Sequence, residues 1–92
     1  MTSSITRTLK IVNEKGLHAR ASAKLVEVVE AHDATATIRK DGLDTSGDSI
    51  MGLLMLAAAK GCSIDVSTSG TDAAPLMDAI IALIDDKFGE GK

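Results

Sequence analysis

Polar and apolar residues alternate in several stretches of the chain, which predicts β-strands. Asp41-Gly42 predicts a tight hairpin turn that leads into a short third strand over 43–46, because Gly tolerates positive φ. The apolar faces of the other three strands are formed by Ile5, Leu9 and Ile11, by Ala34, Ala36 and Ile38, and by Cys62, Ile64 and Val66. One apolar face per strand is typical of an antiparallel sheet that helices cover on one side only.

Three further stretches have the residue spacing of amphipathic helices. The first covers 18–32, the second lies within 49–60 with Gly61 as its stop signal, and the third opens at 70–72. Their expected core positions are Ala21, Leu25, Val28 and Val29, then Leu53 and Leu56, and finally Leu76, Ile80, Leu83 and Ile84. The tail over 89–92 is expected to fray.

The predicted elements follow the order β-α-β-β-α-β-α, so the fold class is α+β. We expect a four-stranded antiparallel sheet with three helices on one face. A length of 92 residues fits a single domain over 1–92, with its core over about 5–88. Periodicity alone does not give the order of the strands within the sheet.

Composition narrows the classes of function. A net charge of −3 argues against general nucleic-acid binding, and Phe88 is the only aromatic residue that could stack on a base. Cys62 is the only cysteine, so no internal disulfide can form, and we expect it to be a small core residue. No apolar stretch is long enough to span a bilayer. The predicted location is the cytoplasm, without a membrane partner.

The stretch GLHARASAK, residues 16–24, places three basic side chains at a predicted helix start. Unpaired backbone N–H groups and the helix dipole make such an end a candidate anion site. His18 is a candidate nucleophile toward a phosphoryl group, and the guanidinium of Arg20 could neutralise the phosphoryl oxygens. Lys24 adds a further positive charge. His32, near the end of the same helix, is interpreted as structural.

GLHARASAK and the later stretch GDSIMGLLMLAAAKG together resemble the histidine-containing phosphocarrier family, HPr, of the bacterial phosphotransferase system. The resemblance implies an open-faced sandwich and a carrier protein rather than an enzyme, with no cofactor and no metal. It implies that His18 accepts a phosphoryl group on Nδ1 from phospho-enzyme I and passes it to a histidine of an EIIA protein. Arg20 matches the arginine that assists the transfer.

The second motif implies regulation and docking. Ser49 matches the serine that a dedicated kinase, HPr kinase/phosphorylase, modifies in many members of the family. The apolar run after it cannot all face inward on one short helix, so Ile50 and Met51, together with Lys24, are expected to dock partners. A docking face that must stay accessible favours a monomer.

Ala21 departs from the family pattern, which usually has Pro after the motif arginine. Pro presets φ in the first helical turn, whereas Ala keeps a backbone N–H that could donate to phosphate. The departure leaves the carrier chemistry intact and suggests the nitrogen-related regulatory branch of the system.

Three alternatives stay open at this point. One is a regulatory HPr paralogue that acts mainly by binding proteins. Another is an acyl carrier protein with Ser49 as its attachment site, although that family is all-helical. The third is an enzyme that uses His18 as a transient nucleophile, although the sequence offers no clear general acid beside it.

Overall fold

The computed structural model describes residues 4–92 and contains a sheet and three α-helices. The strands are β1 (Ser4–Lys10), β2 (Thr35–Lys40), β3 (Leu43–Ser46) and β4 (Ser63–Ser69). The helices are α1 (Ala19–Glu30), α2 (Ile50–Met55) and α3 (Ala73–Asp85), and a 3₁₀ turn follows at Lys87–Gly89. The predicted order of elements and the α+β class are confirmed.

The four strands form one antiparallel sheet in the order β1-β4-β2-β3. Ser67 of β4 lies between Thr6 of β1 and Thr37 of β2, so the last strand in sequence occupies the interior of the sheet. Asp41 and Gly42 both have positive φ, and they close the predicted hairpin between β2 and β3. This sheet contradicts the all-helical acyl carrier alternative.

The helices pack on one face of the sheet and enclose an aliphatic core. Their most buried positions are Ala21, Leu25 and Val29 of α1, Leu53 of α2, and Leu76, Ile80 and Ile84 of α3. Val28 and Leu83 are only half-buried. Phe88 of the 3₁₀ turn is fully buried in the same core, which brings the chain beyond α3 back onto the domain. The opposite face of the sheet carries hydroxyl side chains, among them Thr6, Thr37 and Ser67.

The second helix is shorter than the apolar run that predicts it, as expected. It ends at Met55, because Ala57 adopts left-handed backbone with φ of 51°. An alanine gives no stop signal, so the pattern alone could not locate this end. Leu53 and Leu56 are buried as expected.

Two smaller predictions are wrong. Cys62 lies just before β4 and is half-buried rather than a core residue. The tail packs against the loop after β1 instead of fraying, because the backbone N–H of Glu14 donates to the carbonyl of Lys92 at 3.0 Å. Within residues 4–92, no helix has the length and apolarity needed to cross a bilayer.

Candidate functional site

His18 is the N-cap of α1, at the end of the loop that follows β1. Gly16 has φ of +64° in that loop, and a Cβ there would collide with the carbonyl oxygen of Ala58. The backbone N–H of Leu17 donates to the same carbonyl at 2.9 Å. The early end of α2 thus lets the 57–61 loop brace the His18 loop, and 27% of the His18 side chain stays exposed.

The imidazole of His18 contacts a carboxylate from the far end of the chain. Its Nε2 hydrogen-bonds to Oε2 of Glu90. An ionised carboxylate can only accept, so in a neutral ring Nε2 carries the proton and Nδ1 keeps its lone pair. No hydrogen bond from any residue in 4–92 occupies Nδ1. In that tautomer Nδ1 is the ring atom that can act as a nucleophile.

Glu90 is held in its ionised form. Its other oxygen, Oε1, accepts from Nδ2 of Asn13 at 3.0 Å. The hydrogen bonds from Asn13 and His18 lower the pKa of Glu90, against the opposing effect of burial. At neutral pH the carboxylate is therefore ionised and can accept a hydrogen bond from the ring of His18.

The first turn of α1 is free to bind an anion. Within the described chain no side chain caps its amides, and no acidic residue lies in its first turn. The helix therefore presents unpaired N–H groups and the positive end of its dipole beside the imidazole.

A cleft of about 660 Å³ opens at this helix end. His18 lines it together with four cationic side chains and two acidic ones, which gives the cleft a net positive charge. The cations are Lys15, Arg20, Lys24 and Lys92, and the acids are Glu14 and Glu90.

The three basic residues predicted from GLHARASAK come together in this cleft. Arg20 is exposed and makes no salt bridge within residues 4–92, so its guanidinium can turn toward a ligand. Lys24 is half-buried, and its Nζ donates to the carbonyl of Phe88 at 2.5 Å. That hydrogen bond holds the ammonium group of Lys24 against the C-terminal turn.

The second motif lies outside the cleft, on α2, which packs beside α1. Ser49 is the N-cap of α2, and its Oγ accepts from the backbone N–H of Gly52 at 3.0 Å. Ile50 is 41% exposed and Met51 70% exposed, so an apolar patch faces solvent next to the helix that carries His18. Exposed Leu54 and Met55 extend the same patch.

His32 has a different environment from His18. Its Nδ1 hydrogen-bonds to the carbonyl of Val28 at 2.7 Å, within its own helix end. The structure therefore agrees with the structural interpretation of this residue.

Asn13 and Glu90 were not anticipated as site residues. Both lie outside the two motifs, and Glu90 falls in the tail expected to fray. Phe88, two residues before Glu90, was the available signal, because burial of the only aromatic side chain anchors the tail.

Comparisons with known proteins show the family to which the chain belongs. A family model described as "PTS HPr component phosphorylation site" matches residues 5–86. The phosphocarrier protein HPr of Neisseria meningitidis is 42% identical, over 96% of this chain and 99% of the relative. The phosphocarrier protein NPr of Escherichia coli K12 is 36% identical, over 95% and 98%.

Solved structures show the same fold. An HPr of Thermoanaerobacter tengcongensis superposes with a TM-score of 0.89 at 32% identity, over 94% of this chain and 97% of that one. An HPr of Bacillus anthracis gives 0.85 at 30% identity, over 89% and 98%. The chain therefore belongs to the HPr family of phosphocarrier proteins of the phosphotransferase system.

Proposed function

We propose that His18 is the phosphoryl acceptor of this carrier and that Nδ1 is the reacting atom. The donor is the phosphohistidine of enzyme I, and the next acceptor is a histidine of an EIIA protein. The observation that carries the proposal is the bond from Nε2 to Glu90, which leaves the lone pair on Nδ1 of a half-exposed imidazole. The carrier works as a monomer in the cytoplasm.

The transfer balances without an outside proton. The Nδ1 lone pair attacks phosphorus, the P–N bond to the donor histidine breaks, and its electron pair returns to the donor ring. The donor ring leaves as neutral imidazole, while the His18 ring, which keeps its Nε2 proton, becomes positive. The carboxylate of Glu90 lies against that proton and stabilises the cation. Transfer to EIIA is the same exchange in reverse.

The cleft supplies the charge that the phosphoryl group needs. Its three peripheral oxygens carry most of the negative charge in the transition state. Arg20 offers a planar fork of N–H donors, and the uncapped first turn of α1 offers backbone N–H groups. The partner protein supplies the other half of the site, so the carrier needs no general acid of its own.

We assign the exposed patch on α2 to partner docking. Ile50 and Met51 supply an exposed apolar surface on α2, and Lys24 supplies a positive charge from the lining of the cleft. A flexible methionine side chain can repack against several different partners. Enzyme I and EIIA can therefore use one face in turn.

Ser49 is the proposed regulatory site, modified by HPr kinase/phosphorylase. A phosphate on Oγ would sit at the N-terminus of α2, where its negative charge is tolerated locally. It would also place negative charge inside the docking patch, next to Ile50 and Met51. Acidic partner surfaces would then be repelled, which would reduce the traffic of phosphoryl groups.

The test is intact-mass spectrometry after incubation with enzyme I and phosphoenolpyruvate. We expect a gain of one acid-labile phosphoryl group, mapped to His18 and absent in His18→Ala. His32→Ala is the matched control, because the His32 ring is bonded within its own helix, and it should still be charged.

Persistent charging of a folded His18→Ala protein would reject the assignment to His18. Failure of the wild-type protein to be charged by an active enzyme I would reject the relay itself. It would favour a regulatory protein that acts by binding.

A further inference from the structure

We propose that Asn13 is a positioning residue for phosphoryl acceptance: its side-chain amide holds Glu90 against Nε2 of His18. The inference rests on the proposed function of His18. It assigns a role to a residue that lies outside both sequence motifs and whose side chain is neither ionisable nor nucleophilic.

Asn13 is fully buried in the loop between β1 and α1, and both of its amide protons are used. Nδ2 donates to the carbonyl of Gly16 at 2.8 Å and to Oε1 of Glu90 at 3.0 Å. The reverse orientation of the amide would set Oδ1 against two acceptor oxygens. The NH₂ group therefore faces Glu90.

The side-chain oxygen of Asn13, Oδ1, indicates that this residue is not there for packing alone. Oδ1 of Asn13 is buried and has no hydrogen-bond partner within residues 4–92. An unsatisfied buried acceptor is destabilising, and an apolar side chain at this position would avoid it. The useful feature of Asn13 is thus its pair of donors.

Glu90 needs such an anchor because it reaches the site on a short turn. Lys87, Phe88 and Gly89 all have positive φ, and they bend the chain back toward α1. Asn13 fixes Oε1, and this leaves Oε2 to face the imidazole of His18. Without Asn13 the carboxylate could rotate toward Lys15, whose charge it already feels.

The consequence lies in the tautomer of His18. A carboxylate fixed at Nε2 holds the ring proton there and orients the imidazole, as the buried aspartate does for histidine in a catalytic triad. A carboxylate that rotates away lets the proton move to Nδ1, and a protonated Nδ1 cannot attack phosphorus. By holding Glu90 in place, Asn13 thus raises the fraction of His18 rings that carry the proton on Nε2 and can react through Nδ1.

A purely structural role makes a different prediction. The side chain of Asn13 also closes the loop, since its Nδ2 donates to the carbonyl of Gly16 at 2.8 Å. If loop closure were its whole contribution, removing the side chain would affect the site whether or not Glu90 is present. A double-mutant cycle separates the two roles.

The cycle consists of wild type, Asn13→Ala, Glu90→Ala and the double variant. We would measure the ¹⁵N shifts of the His18 ring at a pH where the imidazole is neutral, and the rate of charging by phospho-enzyme I. Asn13→Ala should lower the share of the Nε2–H tautomer and slow charging on the order of tenfold, by analogy with the loss of partners that orient metal-ligating histidines. In the Glu90→Ala background the same substitution should add no further change.

An unchanged His18 tautomer in Asn13→Ala, or an equal effect in both backgrounds, overturns the proposal. Ser22→Ala is the control for general loosening, because Ser22 is buried beside the loop and, within residues 4–92, its Oγ donates only to the carbonyl of Leu17. It should leave the His18 shifts unchanged.

A second measurement needs no variant at Asn13, so it survives if Asn13→Ala fails to fold. The side-chain amide resonances of Asn13 should follow the titration of the Glu90 carboxyl, and this response should vanish in Glu90→Ala. Amide resonances that ignore Glu90 overturn the proposal. Both NMR readouts use unphosphorylated protein, so they stand even if enzyme I does not charge it and the relay itself fails.

Discussion

Nε2 of His18 hydrogen-bonds to Oε2 of Glu90, although 72 positions separate the two residues in sequence. The contact joins the start of α1 to the turn after α3. In the neutral ring the contact favours the tautomer with its proton on Nε2, and it links the site to the C-terminal segment of the fold.

That coupling predicts a pH dependence of stability. The pKa of Glu90 is lower in the folded protein than its ordinary value of 4.5. The contribution of Glu90 is therefore fully present above that value and is lost as pH falls through the lowered pKa. Glu90→Gln should be less stable than wild type at neutral pH, and the difference should shrink in acid.

Urea unfolding of both proteins at a series of pH values measures this difference. Asp44, whose pKa is lowered by Arg39, contributes equally to both proteins and cancels. A difference that stays constant down to strong acid would contradict the role of the ionised carboxylate.

Arg20 is exposed, so its replacement should affect function without affecting the fold. Arg20→Gln should change the free energy of unfolding by less than about 0.5 kcal/mol. It should slow charging by enzyme I, because the phosphoryl oxygens lose a planar donor. Lys60→Gln, an exposed charge change outside the cleft, is the control and should charge normally. Equal slowing in both variants would point to net charge rather than to Arg20.

Ser49→Asp separates regulation from helix capping. Asp is as good an N-cap as Ser, so the stability of α2 should hold within about 0.5 kcal/mol. The added negative charge in the docking patch should slow charging by enzyme I on the order of tenfold. Thr35→Asp is the charge-matched control, because Thr35 follows the far end of α1. Stopped-flow charging rates that match in the two variants would argue against regulation through Ser49.

Met51 and Leu53 lie on the same short helix, but replacing them with alanine should have different effects. Met51→Ala should affect partner binding, and Leu53→Ala should affect stability. Met51 is 70% exposed and Leu53 is fully buried. Met51→Ala should leave stability within about 0.5 kcal/mol and weaken binding to enzyme I by about 1 kcal/mol. Leu53→Ala should lower the free energy of unfolding by about 2–5 kcal/mol. Titration calorimetry measures binding to enzyme I, and urea unfolding measures stability. If Met51→Ala binds enzyme I normally, Met51 is not part of the docking surface.

Ala57 occupies left-handed backbone at the end of α2, with φ of 51°. Glycine has no Cβ strain there, so Ala57→Gly should raise the free energy of unfolding by up to about 1 kcal/mol. Ala59→Gly is the control, because Ala59 is exposed in the same loop without a positive φ, and it should not be stabilising. Thermal unfolding of both variants tests this prediction. If Ala57→Gly is no more stable than wild type, the backbone at Ala57 is not strained.

The periodicity of the chain was sufficient for the local elements. The apolar stripe of Leu76, Ile80 and Ile84 and the alternation of Ile64 and Val66 each require one buried face, whatever the rest of the chain does. Asp41-Gly42 fixed the hairpin in the same local way. The residue at which α2 ends could not be predicted, since Ala57 adopts a left-handed backbone conformation that alanine does not favour.

The sequence by itself determined the order of elements, the faces that are buried, and the basic helix start that carries His18, Arg20 and Lys24. These features depend on neighbours within a few residues, and local spacing encodes them. The tertiary structure alone decided that β4 lies between β1 and β2, and that Asn13 and Glu90 meet at His18. Such contacts join distant segments, and burial of Phe88 together with bracing of the His18 loop holds them in place. No local pattern specifies them.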